Sequence, residues 1–518
     1  MAIPIIDLFA GPGGLGEGFC SVLDAKDRRM FKIKLSIEKD EHAHQTLELR
    51  AFFREFEPDR VPDDYYAHLR GEISREDLFA RHPVAAAAAA AESWKAELGG
   101  ASAPEKTVDE RINKALNGSK KWVLIGGPPC QAYSLVGRSR VIGGEGLKRY
   151  ENDPKHGLYR HYLRILAVHR PPVFVMENVK GLLSARVRKE NMFERILGDL
   201  RHPLAAISDS LEEHNSPSLT YRLVSVVSSR NDLLGDIAPS DFVVCAEKYG
   251  IPQARHRIIV VGIRSDLKGV PTLLSPEDPP TVEQVIGDLP RIRSGLSKEE
   301  DSPVAWSEAV GTLGDVRWLS NEKFDEELRE ALFLALYRVN SKLGRGEAFM
   351  PTKRQPKALP EWFHDLRLGG VCNHVSRGHI RADLHRYFFA SVFANRRGRS
   401  PLLEEFPKQL LPLHQNVAEA LEETKFNDRF RVQLANRPST TVVSHISKDG
   451  HYFIHYDPTQ CRSLTVREAA RLQTFPDNYF FVGPRTEQYQ QVGNAVPPLL
   501  ARKIALSLTK LLCDLIDN

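Results

Sequence analysis

The sequence predicts a doubly wound α/β fold with a mostly parallel sheet and a second, smaller domain. Strand-like and helix-like patterns alternate through residues 1–264 and return after residue 436, whereas residues 265–436 lack this rhythm. A length of 518 residues is long for one compact domain and suits two. We therefore assign residues 1–264 and 437–518 to the α/β domain and residues 265–436 to the second domain.

Short apolar runs rich in β-branched residues predict the strands of this sheet. In chain order they are IPIIDLF, FKIKLSIE, WVLIGG, VFVMEN, YRLVSVV, DFVVCA and RIIVVGI. Near the carboxyl end, Thr465 and Glu468 form a capping-box signature that starts a helix. Pro497 and Pro498 precede a last helix with Leu500, Ile504, Leu508, Leu511 and Leu515 on one face.

Two segments interrupt the α/β pattern and are expected to be insertions. Near residues 80–121, seven consecutive alanines lead into ESWKAEL, which predicts an inserted surface helix. Residues 201–220 are polar and predict a second excursion from the domain.

The composition is that of a soluble globular protein, with 42% hydrophobic and 27% charged residues. No apolar run approaches the roughly 18 residues of a membrane span, and the N-terminus lacks the basic region of a signal peptide. We therefore expect a cytoplasmic protein. A net charge of +4 permits nucleic-acid binding without arguing for it.

The cysteine pattern predicts neither a disulfide framework nor a metal site. The six cysteines are widely spread and form no CxxC pair. Cys372, His374 and His379 lie close together in sequence, but their spacing matches no standard zinc site. We expect these three residues to lie at the surface or to contact phosphate, and we expect no bound metal.

A glycine-rich turn, GPGGLGEG, follows the first strand. Gly11, Gly13 and Gly16 match GxGxxG, and Glu38 follows Gly16 by 22 residues, at the end of the second strand. This arrangement is typical of a nucleotide cofactor whose ribose hydroxyls meet the carboxylate. A nicotinamide oxidoreductase has the same pattern, and a tight turn without a ligand is a further alternative.

The segment GGPPCQAYS places Cys130 at the carboxyl end of a buried strand, where such sheets bind ligands. Two prolines before Cys130 stiffen the loop. A lone buried cysteine is usually inert, but a Gly/Pro loop beside Gln131 and Ser134 is a poor environment for packing. The loop therefore favours a nucleophile.

Two further motifs carry charged residues towards the same edge. Glu177 stands at the carboxyl end of the predicted strand VFVMEN, next to its last residue. A carboxylate there could cap a helix, pair with a lysine or take part in catalysis. In QARHR, Arg255 and Arg257 alternate, so both are expected to point to one side of the chain. In the simpler interpretation the two arginines form a solvated basic edge. In the functional interpretation the two guanidiniums lower the pKa of the Cys130 thiol and bind phosphate.

Six motifs together resemble the DNA (cytosine-5)-methyltransferase family, in particular its bacterial restriction-modification members. DLFAGPGG, GGPPCQAYS, MENVKG, YGIPQARHR, RPSTT and QVGNAVPP occur in the family's order and approximate spacing, over about two-thirds of the chain. The resemblance implies the S-adenosylmethionine-dependent methyltransferase fold, S-adenosyl-L-methionine as cofactor and double-stranded DNA as partner. Residues 265–436 match the family's variable target-recognition domain by position only.

The same resemblance implies a role for each matching residue. Cys130 would be the nucleophile, Glu177 would contact the base edge, and Arg257 with Arg255 beside it would line the catalytic site. Glu72, in GEI, matches a third cofactor motif that usually carries Asp. The other residues that resemble cofactor contacts are Phe9, Gly11, Gly13, Gly14, Glu38, Pro128, Asn494 and Val496.

Cytosine methylation explains these residue types. Attack of a thiolate on C6 breaks the aromaticity of the ring and makes C5 nucleophilic, while a carboxyl group shares a proton with N3. The cytosine must be flipped out of the duplex for this to occur. Residues 137–149, with four glycines and four basic residues, are expected to form a mobile lid, with a disordered loop as the alternative.

Three other functions compete with this interpretation. A nicotinamide oxidoreductase would give no reason for GGPPCQ or QARHR. A tRNA cytosine-5 methyltransferase of the same fold is disfavoured by the long variable region, and a non-catalytic DNA-binding relative by intact Cys130, Glu177 and Arg257. We expect a monomer, because one chain can perform every step, and a functional pairing with a restriction endonuclease or other defence protein is left open.

Overall fold

The computed structural model describes residues 2–129, 154–187, 190–207, 219–230, 237–313, 324–412 and 427–514. Cys130 and the expected lid at residues 137–149 lie outside the described residues. Within the described ranges, none of the helices combines the length and the apolar character that a membrane span requires.

The strands are numbered along the chain. They are β1 (Ile3–Leu8), β2 (Phe31–Glu38), β3 (Ser93–Lys95), β4 (Val123–Gly126), β5 (Val173–Val179), β6 (Arg186–Val187), β7 (Glu190–Asn191), β8 (Tyr221–Val224), β9 (Val243–Cys245), β10 (Gln253–Ala254), β11 (His256–Arg264), β12 (Gly295–Leu296), β13 (Gly346–Pro351), β14 (Gly370–Val375), β15 (Gly378–His379) and β16 (Ser439–Thr440).

The helices are numbered in the same way. They are α1 (Gly14–Cys20), α2 (Glu41–Arg54), α3 (Asp63–Leu69), α4 (Arg75–Arg81), α5 (Pro83–Glu92), α6 (Glu105–Leu116), α7 (Pro154–His169), α8 (Met192–Arg201), α9 (Pro203–Ile207), α10 (Val282–Ile286), α11 (Pro303–Gly311), α12 (Glu326–Tyr337), α13 (Pro360–Phe363), α14 (Arg381–Arg397), α15 (Val466–Leu472), α16 (Arg485–Asn494) and α17 (Pro498–Asp514).

The main sheet has eight strands in the order β3, β2, β1, β4, β5, β11 and β8, with β9 also paired to β11. The first five strands in this order, which are β3, β2, β1, β4 and β5, are parallel to one another. Strand β11 runs antiparallel to β5, β8 and β9. The predicted mostly parallel, doubly wound sheet is therefore confirmed.

Two apolar clusters cover the two faces of this sheet. Alternate residues of β1 point to opposite faces: Ile6 joins a cluster with α6, α7 and α8, and Ile5 joins a cluster with α1 and α17. The capping box at Thr465 starts α15 as predicted. The predicted apolar face of α17 is also confirmed, since Leu500, Ile504, Leu508 and Leu511 are buried. Leu515 lies outside the described residues.

The prediction of a helix over the alanines and ESWKAEL is confirmed only for the alanines, which form α5. Alanine favours the helix, which ends at Glu92, but Ser93–Lys95 is strand β3 and pairs in parallel with β2. Trp94 is buried there, with the Arg111 guanidinium 4.2 Å from the centre of its ring. The segment thus completes the sheet edge. In the second expected excursion, α8 and α9 reach Ile207, and residues 208–218 lie outside the described part.

The middle of the chain contributes to two further apolar clusters. One joins α11, α12 and α14 and extends past residue 436 to Ile454 and Cys461. The other joins Val282, Val285 and Phe363 to the helices α15 and α16. Residues 265–436 therefore have a core largely of their own and a second apolar contact with the carboxyl-terminal segment.

The expectation that Cys372, His374 and His379 lie at the surface is wrong. All three are buried. Cys372 and His374 lie in β14, which packs against α15, and His379 lies in β15. The Cys372 thiol donates to the Leu69 carbonyl, His374 bonds to Thr465 and the Pro290 carbonyl, and His379 bonds to Ser463.

Candidate active site

A cavity of about 400 Å³ opens at the carboxyl ends of β1, β2, β3, β4 and β5, where open α/β sheets bind ligands. Helix α16 and the residues after it close one side of the cavity. Of the predicted site residues, Phe9, Gly11, Glu38, Pro128, Glu177, Asn494 and Val496 line it. The cavity therefore joins motifs from both ends of the chain.

The glycine-rich turn between β1 and α1 forms the floor of this cavity. Phe9 has a φ of 58°, a conformation that costs energy in a residue with a side chain and is concentrated at functional sites. Gly13 is the N-cap of α1, and its φ of 93° requires glycine. A Cβ on Gly14 would lie 2.3 Å from the Val496 carbonyl oxygen. Gly13 and Gly14 thus shape the turn and admit the carboxyl-terminal motif, without lining the cavity.

Glu38 is fixed at the end of β2 by two backbone donors. Its Oε2 accepts the Gly11 N–H at 2.7 Å and its Oε1 accepts the Asp40 N–H at 2.8 Å. Burial raises the pKa of this carboxyl above its ordinary value. The arrangement holds the carboxylate at the cavity wall beside the glycine-rich turn.

Asp7 is a cavity residue that sequence reasoning missed. Its carboxyl is buried, and neither oxygen has a hydrogen-bond partner among the described residues. Burial raises the pKa of Asp7 well above its usual range. The only signal in the sequence is a carboxylate inside an apolar strand.

The structure does not bring Glu72 to the cavity. Glu72 is exposed, and its Oε1 lies 2.6 Å from the Arg70 Nε. Glu97, two residues beyond β3, lines the cavity instead and forms an ion pair with Lys39 at 3.0 Å. Recognising β3 in the sequence would have identified Glu97, because the carboxylate then follows a strand at the binding edge.

The loop that leads to Cys130 is anchored to β5. The Asn178 side chain donates from Nδ2 to the Pro128 carbonyl at 3.2 Å. A Cβ on Gly127 would lie 3.1 Å from the Glu177 Oε2, so glycine lets the loop pass close to this carboxylate. Cys130 itself lies outside the described residues, two positions after Pro128.

Glu177 and Arg257 are brought together by the pairing of β5 with β11. The Arg257 Nε lies 3.1 Å from the Glu177 Oε1, and both side chains are largely buried, at 12% and 13% exposure. The Arg257 Nη1 also donates to the His256 carbonyl at 2.8 Å. A carboxylate with a guanidinium partner therefore stands at the cavity rim.

Arg255 does not accompany Arg257 into this site. Its guanidinium is buried and donates to the carbonyls of Val442 at 2.8 Å and of Gly493 at 3.3 Å. Burial lowers the pKa of Arg255 well below its usual value. Arg255 joins the QARHR segment to two carboxyl-terminal motifs, so the expected pair of guanidiniums aimed at the site is not what the structure contains.

Comparison with known proteins places the chain in a family. C-5 cytosine-specific DNA methylase sequences match residues 87–202, 241–333 and 378–510. Type II methyltransferase M.Bpa9945I of Bacillus paralicheniformis is 33% identical over 97% of both chains. Putative type II methyltransferase M.OihORF3336P of Oceanobacillus iheyensis is 25% identical over 98% of this chain and 95% of its own. DNA (cytosine-5-)-methyltransferase M.ApeKI of Aeropyrum pernix is 29% identical over 77% of this chain and 83% of its own.

The main sheet, with a cavity at the carboxyl ends of its parallel strands, is that of a doubly wound α/β protein with a ligand-binding edge. The chain belongs to the C-5 cytosine-specific DNA methylase family, as its six motifs predicted. It is an enzyme, a DNA (cytosine-5)-methyltransferase of the restriction-modification type. The nicotinamide oxidoreductase is thereby excluded.

Proposed function

We propose that the enzyme transfers a methyl group from S-adenosyl-L-methionine to carbon 5 of a flipped-out cytosine in a specific double-stranded DNA sequence. The reaction passes through a covalent bond between the Cys130 sulfur and C6 of the base. The observation that carries this proposal is the Glu177–Arg257 pair at the rim of the cavity, beside the loop that leads to Cys130.

The cavity suits the proposed cofactor. Its volume falls within the roughly 300 to 1,000 Å³ of small-molecule sites. Glu38 has the position to accept the ribose hydroxyls, and the apolar ring of Phe9 with Val496 would flank the cofactor. Glu97, rather than Glu72, is the acidic residue that we assign to the third cofactor motif. The bound cofactor would supply the methyl group.

The chain's own residues would act on the base. The Cys130 thiolate attacks C6, and Glu177 shares a proton with N3, so that the charge pushed into the ring is neutralised. Arg257 holds the Glu177 carboxylate in place through their 3.1 Å ion pair. After C5 has taken the methyl group, a base removes the C5 proton and the thiolate leaves.

We assign target recognition to residues 265–436 and the adjoining part of their core. Their apolar cluster is built largely from α11, α12 and α14, apart from the sheet that forms the cavity. A unit that packs largely apart from the sheet is suited to contact a duplex whose flipped base enters the site. A restriction endonuclease with the same target would be the functional partner, as the type II naming of the relatives suggests.

Base-resolution methylation sequencing of plasmid DNA tests the proposal. The plasmid would come from a host that lacks its own cytosine methylation and expresses the full chain. We expect bisulfite-resistant cytosines in one short recurrent sequence, and none with the Cys130→Ala variant. Folded, cofactor-binding wild-type protein that leaves all plasmid cytosines unmodified would contradict the proposal, and a tRNA substrate would then be tested.

A further inference from the structure

Three metal-ligating side chains meet beside the active site. Strand β9 pairs with β11 so that Cys245 stands opposite His256, and Glu247 follows Cys245 in a short 3-10 turn, Ala246–Lys248. The ligand atoms of the three side chains all lie within 4.8 Å of one another, and each residue is partly exposed. A soluble ion could therefore reach all three.

The hydrogen bonding of this cluster is incomplete. One carboxylate oxygen of Glu247 contacts the His256 Nε2 at 2.7 Å. The other, Oε2, is buried and has no hydrogen-bond partner among the described residues. A buried carboxylate oxygen without a partner is costly. A cation bound between the three side chains would remove this cost.

We propose that Cys245, Glu247 and His256 bind a zinc ion, with water as the fourth ligand. A thiolate, an imidazole and one carboxylate form a borderline-soft donor set that selects zinc over magnesium or calcium. Zinc holds such donors at about 2.0 to 2.3 Å, so neighbouring donor atoms in a tetrahedral site lie about 3.5 Å apart. Zinc binding would therefore separate the Glu247 and His256 ligand atoms, which lie 2.7 Å apart, and replace their hydrogen bond with bonds to the ion.

The proposed ion lies next to a residue of the methylation site. His256 directly precedes Arg257, and the Arg257 Nη1 donates to the His256 carbonyl. The ion would join β9 to the start of β11 and thereby fix the backbone from which the Arg257 side chain extends. This site is separate from the residues of the proposed methyl transfer and does not depend on that reaction.

Cobalt titration of the full chain tests the site without measuring activity. Co²⁺ replaces Zn²⁺ in such sites and gives a sulfur-to-cobalt charge-transfer band when a thiolate is a ligand. The titration uses the Cys130→Ala variant of the full chain. This variant lacks the thiol of the proposed nucleophile, so that thiol cannot produce the band. We expect one equivalent of Co²⁺ to produce the band and one equivalent of Zn²⁺ to abolish it.

Substitutions then identify the ligands. Cys245→Ser is expected to remove the band, whereas Cys513→Ser, a change at another partly exposed cysteine, is expected to retain it. Glu247→Gln keeps the size of the side chain and is expected to weaken Zn²⁺ binding at least about tenfold. Circular dichroism checks that each variant is folded.

When the variants fold, either of two results would overturn the zinc site. One is the absence of a cobalt band from the folded Cys130→Ala protein. The other is a band that persists in Cys245→Ser, which would place the thiolate ligand elsewhere. If Cys245→Ser does not fold, an affinity unchanged by Glu247→Gln overturns the proposal as well.

Discussion

Arg255 and Arg257 stand two positions apart in one segment, yet their side chains have different surroundings, and we therefore assign them different functions. Among the described residues, the buried Arg255 guanidinium donates to the carbonyls of Val442 and Gly493 in the carboxyl-terminal segment. The Arg257 guanidinium faces the Glu177 carboxylate at the rim of the cavity. From burial and partner chemistry, and not from position in the motif, we assign Arg255 to the stability of the fold and Arg257 to the proposed reaction.

Lysine substitutions separate the two functions. Arg255→Lys keeps the charge but cannot reach the carbonyls of both Val442 and Gly493, so we expect a loss of about 2 to 4 kcal/mol of unfolding free energy. Arg257→Lys removes the guanidinium whose Nε lies 3.1 Å from the Glu177 Oε1, so we expect kcat to fall at least about tenfold with little change in stability. Urea unfolding and single-turnover methylation measure the two effects. Equal loss of stability in both variants would contradict this division.

At the scale of elements, the site depends on how closely the carboxyl-terminal segment approaches the glycine-rich turn. The Val496 carbonyl lies against Gly14, at the first residue of α1. The Tyr479 hydroxyl donates to the Pro12 carbonyl of the same turn. The shape of the cofactor cavity is therefore set by two elements that are far apart in sequence.

A Gly14→Ala substitution tests this close approach. The added methyl would meet a backbone oxygen at 2.3 Å, which cannot yield as a flexible side chain would. We expect the segment after α16 to shift and the dissociation constant for S-adenosylmethionine to rise at least about tenfold, equivalent to roughly 1.4 kcal/mol or more. Isothermal titration calorimetry measures it.

Gly198→Ala is the matched control for that substitution. Gly198 lies in α8, and a Cβ there meets nothing within 4 Å. Alanine is the better helix former by about 1 kcal/mol, so we expect unchanged cofactor affinity and slightly higher stability. Unaltered affinity in Gly14→Ala as well would show that the approach of the two elements does not shape the cavity.

The sequence predicted those elements whose local pattern and tertiary role agree. The apolar runs before Gly11 and Gly127 could be recognised as buried strands because their flanking glycines mark where each strand ends. Strand β3 could not, because alanines favour a helix up to Ala91 and the three-residue strand is set by pairing with β2. Glu97 could therefore not be recognised from the sequence, and the resemblance of GEI to a cofactor motif indicates Glu72 instead.

Burial at a distance was equally hard to predict. Nothing near His374 or His379 in the sequence indicates that their partners are Thr465 and Ser463. The motif that contains Arg255 likewise gives no sign that this side chain ends at Gly493. Contacts between segments far apart in sequence decide these environments, and local periodicity carries no information about them.

At the scale of the whole molecule, the middle and carboxyl-terminal segments are joined by a buried polar cluster. His374 accepts the Thr465 hydroxyl at 2.9 Å and donates to the Pro290 carbonyl at 2.8 Å. His455 lies beside Glu468, which forms a buried ion pair with Arg462 at 2.6 Å. Protonation of either histidine would disturb a junction on which both segments depend.

We expect this junction to make the stability of the enzyme sensitive to mild acid. Burial lowers the pKa of His374 and of His455 to about 4. Unfolded histidines titrate near pH 6.5, so between about pH 6.5 and 4 the unfolded chain binds more protons than the native one, and stability falls as pH falls. The loss is on the order of a few kcal/mol.

Urea unfolding at pH 7.5 and pH 5 measures this loss of stability. We expect His374→Gln to reduce the difference between the two pH values, and His364→Gln, at a partly exposed histidine, to leave it unchanged. If His374→Gln leaves the difference unchanged too, the acid sensitivity arises elsewhere in the molecule.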